Sequence, residues 1–320
     1  MQVWRINVGN RTLVREDIPP SWEYLGGRGL IARILLDEVP PECDPLGPLN
    51  KLIFTPGLLV GHMLSSCDRL SIGGKSPLTG TVKESNAGGT TGLQMALLGI
   101  RALIIEGLPV DKSFVVLVVT PDGIRFDSAE GLLRQGVYAS AAILRQRYLD
   151  PPALSVIGPA GEVGMLSAGI LNLDQDQNPS RINGRGGLGA LMGAKKIKAI
   201  VWQAEQADKP PIMDPEAFHE AQRVYTQTLI AQPQTAVYRD YGTAGMLAMS
   251  NGFDGLPTRG FSQGQFEEAE RISGETLRDT LLQRGGISIP THACMPGCVI
   301  RCSNRMGDEN GNLLVSPLEY

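Results

Sequence analysis

Gly184-Arg185-Gly186-Gly187-Leu188-Gly189 spells a literal GxGxxG, and the strand-like run Lys198–Trp202 follows it. Glu205 stands 21 residues after Gly184, where a dinucleotide-binding fingerprint would place its ribose carboxylate. That fingerprint needs an apolar strand before its first glycine. Here Asp174–Asn183 is polar, which makes a nicotinamide site the lesser reading. What remains is a glycine-rich loop feeding a short helix, Leu188–Ala194, with Arg181 and Arg185 beside it. Backbone N–H groups and guanidinium forks of this kind suit phosphate oxygens.

Upstream of this loop the chain is rich in strands. Residues 3–15 alternate around Gly9-Asn10 and predict a hairpin. Lys51–Thr55, Arg69–Ile72, Ala102–Glu106, Leu154–Ile157 and Met165–Leu171 read as strands. Phe114–Thr120 and Ile124–Asp127 pair across Pro121-Asp122-Gly123. Leu30–Glu38, Gly92–Leu98 and Ser140–Tyr148 read as helices. Between Arg69 and Gly89 a strand runs into a turn and then a Ser/Asn/Gly loop ahead of a helix. Its plain reading is a surface loop.

Downstream the texture changes. Gln203–Ile212, with Asp208-Lys209-Pro210-Pro211, is polar and proline-rich and reads as a linker. Asp214-Pro215 starts a helix that runs to about Ala231. Leu247–Asn251 and Ser273–Arg284 carry helical signals too. The fold class is therefore α+β. A β-rich domain, 1–205, precedes the start of a mainly helical domain, 206–320. The chain stops at Pro317-Leu318-Glu319-Tyr320, close behind a cysteine cluster, and a fragment is expected.

Composition narrows the function. Glycine is 39 of 320 residues, about 12% against a usual share of about 7%, and the excess is clustered. Clusters such as Gly26-Gly27-Arg28-Gly29 and Gly88-Gly89 let backbone approach backbone, or a bulky ligand, closely. A net charge of −4 argues against a nucleic-acid or anionic-membrane surface. No apolar run is long enough for a transmembrane helix, and the first residues lack a signal-peptide layout. Five cysteines, three bunched together, do not form a secreted disulfide framework, so a cytoplasmic location fits best.

The bunched cysteines are Cys294, Cys298 and Cys302, with Pro296-Gly297 between the first two. The Pro-Gly pair prevents a straight helix, so the segment can wrap an object and aim several sulfurs inward. Soft thiolates suit a 4Fe–4S cluster or zinc, the latter with His292 as a fourth ligand. The spacing lies one residue from the CxxxCxxC of radical S-adenosylmethionine enzymes. Those need a long barrel afterwards, and only eighteen residues follow Cys302. Cys43 and Cys67 read as isolated thiols, and His62 and His219 as surface or satisfied core residues.

Taken in order, several stretches resemble the aldehyde ferredoxin oxidoreductase family of tungsten enzymes. They are Gly26-Gly27-Arg28-Gly29-Leu30, Asn50–Phe54, Lys75–Gly80, Ser85–Gly89, Ile157–Glu162, Gly184–Gly193, Lys198–Val201, Tyr241–Gly245 and Leu256–Arg259. The resemblance implies a β-rich base that cradles two pyranopterins, whose dithiolenes hold one tungsten or molybdenum. Matched motif by motif, Arg69, Asn86, Gly88, Arg181, Gly184 and Arg185 would contact the pterins and their phosphates. The carbonyls of Asn86 and Ile182 would bind a bridging magnesium. Cys294, Cys298 and Cys302 would hold a 4Fe–4S cluster, and Glu319 would match a glutamate near the metal. The family spaces its first two cysteines CxxC, whereas this chain has CxxxC, a departure that bears on Cys294. A fourth cluster cysteine and an active-site histidine would lie beyond Tyr320.

The activity so implied is oxidation of an aldehyde to a carboxylic acid, with electrons passed to ferredoxin or a partner subunit. The 320 residues alone are expected to be inactive. Homo-oligomers are compatible with the family. The rivals are the tungsten subunit of a benzoyl-CoA reductase-type complex and a non-catalytic, zinc-stabilised binding module.

Overall fold

In the computed structural model, residues 1–204 and 209–318 are described. They form two compact units, Met1–Met63 with Cys67–Pro211, and Leu64–Ser66 with Ile212–Tyr320.

The first unit holds two six-stranded sheets. One comprises β1 (Gln2–Asn7), β2 (Thr12–Glu16), β3 (Leu52–Pro56), β4 (Leu70–Lys75), β5 (Val82–Ala87) and β6 (Ile100–Glu106), in the order β2-β1-β6-β3-β4-β5. The other comprises β7 (Val115–Thr120), β8 (Gly123–Ser128), β9 (Ala153–Val156), β10 (Ile170–Asn172), β11 (Arg181–Asn183) and β12 (Ile197–Trp202), in the order β11-β10-β9-β12-β7-β8. Among the described residues, β1–β6 and β7–β12 pair in parallel and the other pairs are antiparallel. The helices are α1 (Gly27–Glu38), α2 (Thr91–Leu97), α3 (Val137–Arg147), α4 (Pro159–Glu162) and α5 (Leu188–Ala194).

The continuous apolar runs of β3, β6, β7 and β12 follow from burial on both faces. Leu52, Phe54, Leu103 and Ile105 point into the shared core with Leu117, Val119, Ile200 and Trp202. There the Phe54 and Trp202 rings lie 5.9 Å apart. The alternate residues Val3, Ile53, Ala102 and Ile104 pack on Leu30, Ile31 and Ile34 of α1. Val116, Val118, Leu154 and Val201 pack on Ala141 and Leu144 of α3. The layers thus run helix, sheet, sheet, helix.

Buried cations tie this unit together. Lys198, fully buried, donates from Nζ to Glu162 Oε1 at 2.6 Å and to the Ile157 carbonyl at 2.7 Å. Arg5 reaches Glu16, Glu38 and Glu106, and Lys51 reaches Glu38 and Glu106. Lys195, also fully buried, donates to the carbonyls of Asn50 at 2.8 Å and Gly107 at 3.0 Å. Burial lowers its pKa to about 7, against the raising effect of Glu106.

The second unit holds more helix than strand. It contains α6 (Pro215–Ala231), α7 (Pro233–Tyr241), α8 (Leu247–Gly252) and α9 (Gly274–Arg284). Asp214 caps α6 by accepting from the Ala217 amide at 3.0 Å, and Ser273 caps α9 through the Thr276 amide at 3.2 Å. An antiparallel sheet of β13 (Ile289–His292), β14 (Ser303–Gly307) and β15 (Leu313–Leu318), not expected from the pattern, flanks the cysteine segment in sequence.

Three other expectations change. The surface loop expected before Gly92 is instead β5, paired with β4 along its whole length. The strand expected over Met165–Leu171 is confined to Ile170–Asn172, because Met165–Ala168 is a hydrogen-bonded turn. The polar stretch before Gly184 ends in the short strand β11. Glu205, part of the expected linker and Glu319 lie outside the described residues.

Candidate functional site: a cationic cleft and a cysteine loop

The first unit opens a cleft of about 700 Å³ between β5 and the segment around β11. Arg28, Lys83, Glu84, Asn86, Ile182 and Arg185 line it, with Val82, Ser85 and Gly184. Three cations thus face one carboxylate.

The antiparallel register explains the cleft's polar wall. Ser71 of β4 stands opposite Asn86 of β5, and Gly73 stands opposite Glu84. Ser71, Glu84 and Asn86 therefore share one face, with Arg69 just before β4. A relay links them. Arg69 Nε donates to Asn86 Oδ1 at 2.6 Å, Asn86 Nδ2 to Ser71 Oγ at 3.2 Å, and Ser71 Oγ to Glu84 Oε1 at 2.6 Å. Arg28 lies 3.6 Å from the other Glu84 oxygen, with its side chain 78% exposed. The relay leaves the Asn86 amide one orientation, oxygen toward Arg69.

A second, buried relay holds the opposite wall. Trp202 Nε1 donates to Ser155 Oγ at 3.2 Å, and Ser155 Oγ to Asn172 Oδ1 at 2.7 Å. Asn172 Nδ2 donates to the Arg181 carbonyl at 3.0 Å and to Asn183 Oδ1 at 2.8 Å. Asn183 Nδ2 then reaches the Ser85 carbonyl at 2.5 Å. Ser85 Oγ accepts from the Arg185 amide at 3.3 Å, and Ser76 donates to the Gly186 carbonyl at 2.7 Å. Asparagine is a poor strand former, so Asn172 on β10 and Asn183 on the edge strand β11 signal such a network.

The structure brings Asn86, Ile182, Gly184 and Arg185 together on the cleft. Arg69 joins them through Asn86. Arg181 does not line the cleft: it is 2% exposed, and its Cβ packs where a side chain on Gly89 would stand. Gly88 is buried beside Gly89, whose φ of +96° and 2.5 Å approach to the Leu173 carbonyl exclude any Cβ. Gly189 and Gly193 serve packing. A Cβ on Gly193 would stand 1.9 Å from the Gly161 carbonyl, so α5 lies directly on α4. Arg28, Lys83, Ser71, Glu84 and Asn172 are cleft or supporting residues that motif reading did not assign.

In the second unit, Cys294 and Cys298 are buried with Met295, and Cys302 is half-buried. None of the five cysteines is in a disulfide. A hydrogen bond from Cys294 pulls the Cys298 pKa down to about 5 against burial, helped by the amides of Arg301 and Ile300 and the Ser66 hydroxyl. The Cys302 carbonyl accepts from the Thr243 amide at 2.9 Å and the Thr243 hydroxyl at 3.2 Å. Gly242, at φ +67°, has room for no Cβ beside that carbonyl. The Tyr241–Gly245 motif therefore brackets the cysteine loop. Among the described residues no three His, Cys, Asp or Glu side chains converge on one metal-ion position, Cys294, Cys298 and Cys302 included. No described helix is long and apolar enough to cross a membrane.

The chain thus combines a two-sheet base that carries a cationic cleft with a second unit that carries a cysteine loop. The family described as aldehyde ferredoxin oxidoreductase, N-terminal domain, matches residues 3–204, and that described as domains 2 and 3 of the same enzyme matches 220–320. The chain belongs to the aldehyde ferredoxin oxidoreductase family. It is 35% identical over 285 residues to the tungsten-containing aldehyde ferredoxin oxidoreductase of Thermococcus kodakarensis, covering 88% of this chain and 45% of that one. The Pyrococcus horikoshii enzyme of the same name is 32% identical over 301 residues, covering 93% and 48%. The chain thus spans about half the length of these relatives. Among solved structures it is similar to the active-site complex BamBC of benzoyl coenzyme A reductase. The TM-score is 0.74 at 24% identity, over 96% of this chain and 47% of that one, a likeness of fold.

Proposed function

We propose that residues 1–205 form the pterin-binding base, and 206–320 the start of the cluster-bearing helical part, of a tungsten or molybdenum aldehyde oxidoreductase. The observation that carries this reading is the cleft with three cations, one carboxylate and a glycine edge. Its donor set fits a polar, multiply anionic ligand. Arg185 and Arg69 would hold phosphate oxygens by charge-assisted forks, and Gly184 would admit the ligand close to the backbone. The carbonyls of Asn86 and Ile182, both residues on the cleft, would bind magnesium, a hard cation that prefers oxygen. Arg181, buried behind the cleft, would act by fixing β11 rather than by touching phosphate. Cys294, Cys298 and Cys302 would bind a 4Fe–4S cluster through soft thiolate ligands.

When bound, the metal pterin would supply the two-electron chemistry that converts an aldehyde and water to a carboxylic acid and two protons, and the cluster a one-electron outlet toward ferredoxin or a partner subunit. This chain's residues position the group and neutralise its charge.

The test uses Arg185→Ala in the polypeptide as its source expresses it. Its pterin and tungsten content should fall while its unfolding free energy stays within about 1 kcal/mol of the parent, as for an exposed side chain. Unchanged pterin and metal would defeat the assignment. Cys298→Ala should in parallel lose iron and sulfide while retaining pterin.

A further inference from the structure

The first unit has another cleft, of about 570 Å³, at the start of β6. Ile18, Leu58 and Pro210 supply apolar walls, and Glu23, His62 and Arg101 are its polar members. Pro210 seats against Gly61, where a Cβ would come within 3.0 Å of the proline ring. The volume is that of a small-molecule pocket.

Arg101 is the anomaly. Its guanidinium has five N–H donors, yet its hydrogen bonding amounts to one long contact, from one terminal nitrogen to the Leu25 carbonyl at 3.4 Å. Its Nε is buried without a partner, and among the described residues no carboxylate forms an ion pair with it. Burial alone lowers its pKa from the usual guanidinium value. Arg5, on the neighbouring strand of the same sheet, is satisfied by Glu16, Glu38 and Glu106. An uncompensated, half-buried guanidinium is costly, and proteins ordinarily avoid it. His62 is held toward its neutral form by burial and by Lys209, so the cleft keeps a further hydrogen-bonding group.

We propose that this cleft is a small-molecule site for a monocarboxylate with a short apolar tail, its carboxylate forked onto Arg101 and its tail against Ile18, Leu58 and Pro210. A planar carboxylate matches the guanidinium fork. Glu23 on the same cleft disfavours a dianion, which sets a monocarboxylate above phosphate. The site does not depend on the pterin reading.

Calorimetric titration of the 320-residue chain with hexanoate, and separately with inorganic phosphate, tests this. Hexanoate should bind saturably with a Kd below about 1 mM, and phosphate at least tenfold more weakly. Arg101→Gln should weaken hexanoate binding at least tenfold. Glu23→Gln should strengthen it, which keeps the test decisive if the arginine variant does not fold. Absence of saturable binding, phosphate preferred over hexanoate, equal affinity in a folded Arg101→Gln chain, or no gain in Glu23→Gln would overturn the proposal.

Discussion

Glu162→Gln probes the deepest electrostatic contact of the first unit. Lys198 Nζ is fully buried, and the Glu162 side chain is 8% exposed, so water cannot replace a lost partner. The carboxylate also accepts from the Arg134 amide at 2.8 Å, which orients it. The glutamine amide keeps an acceptor oxygen but removes the charge. Lys198 would then rely on the Ile157 carbonyl at 2.7 Å and the Gln135 carbonyl at 3.4 Å. Removing one partner of a buried pair costs about 3–5 kcal/mol. For a unit of about 200 residues, each kcal/mol lowers Tm by roughly 2–4 °C, so the midpoint should drop by about 6–20 °C. Urea denaturation followed by circular dichroism reads the same loss, with m unchanged. Glu162→Gln with Lys198→Met should recover part of it, because the uncompensated charge is then gone. A loss below about 1 kcal/mol in the single variant, with no recovery in the double, would refute the reasoning.

Other outcomes follow from the same geometry. Lys195 has a folded pKa of about 7 against an ordinary 10.5. Between those values the unfolded chain binds a proton that the folded chain does not, so this group makes stability rise with pH over that window. Lys195→Met should flatten the rise, on the order of a few kcal/mol, in urea melts at pH 7 and pH 10. Gly193→Ala forces a Cβ onto the Gly161 carbonyl and should cost at least about 2 kcal/mol, read as a lower melting midpoint; a midpoint shift under 1 °C would contradict the close helix contact. Asn172→Ala removes the centre of the buried relay and should cost about 2–4 kcal/mol, since Ser155 and Asn183 each lose a partner. It should also lower pterin retention; full retention would show that β11 is held otherwise.

Elements with strong local signals were legible from residues alone. The Asp214-Pro215 cap marks the start of α6, Pro215–Ala231, and the glycine-rich loop marks the start of α5, Leu188–Ala194. β5 was not legible, because Lys83-Glu84-Ser85-Asn86 is polar for the sake of the cleft it lines, and polarity between glycines reads as a loop. β13–β15 are short and held by antiparallel pairing with irregular register, which carries no local periodicity. The motifs located Asn86, Ile182, Gly184 and Arg185, but spacing could not tell that Arg181 turns inward. Nor could it pair Arg69 with Asn86, or Lys198 with Glu162, across 17 and 36 residues. Such partners are set by strand register and packing.

The central claim is that the chain's cleft and cysteine loop hold a metal pterin and an iron–sulfur cluster. Elemental analysis of the polypeptide purified anaerobically from its own source tests this most directly. The account predicts tungsten or molybdenum together with pterin, iron and sulfide. Zinc alone, with neither pterin nor iron, would contradict it.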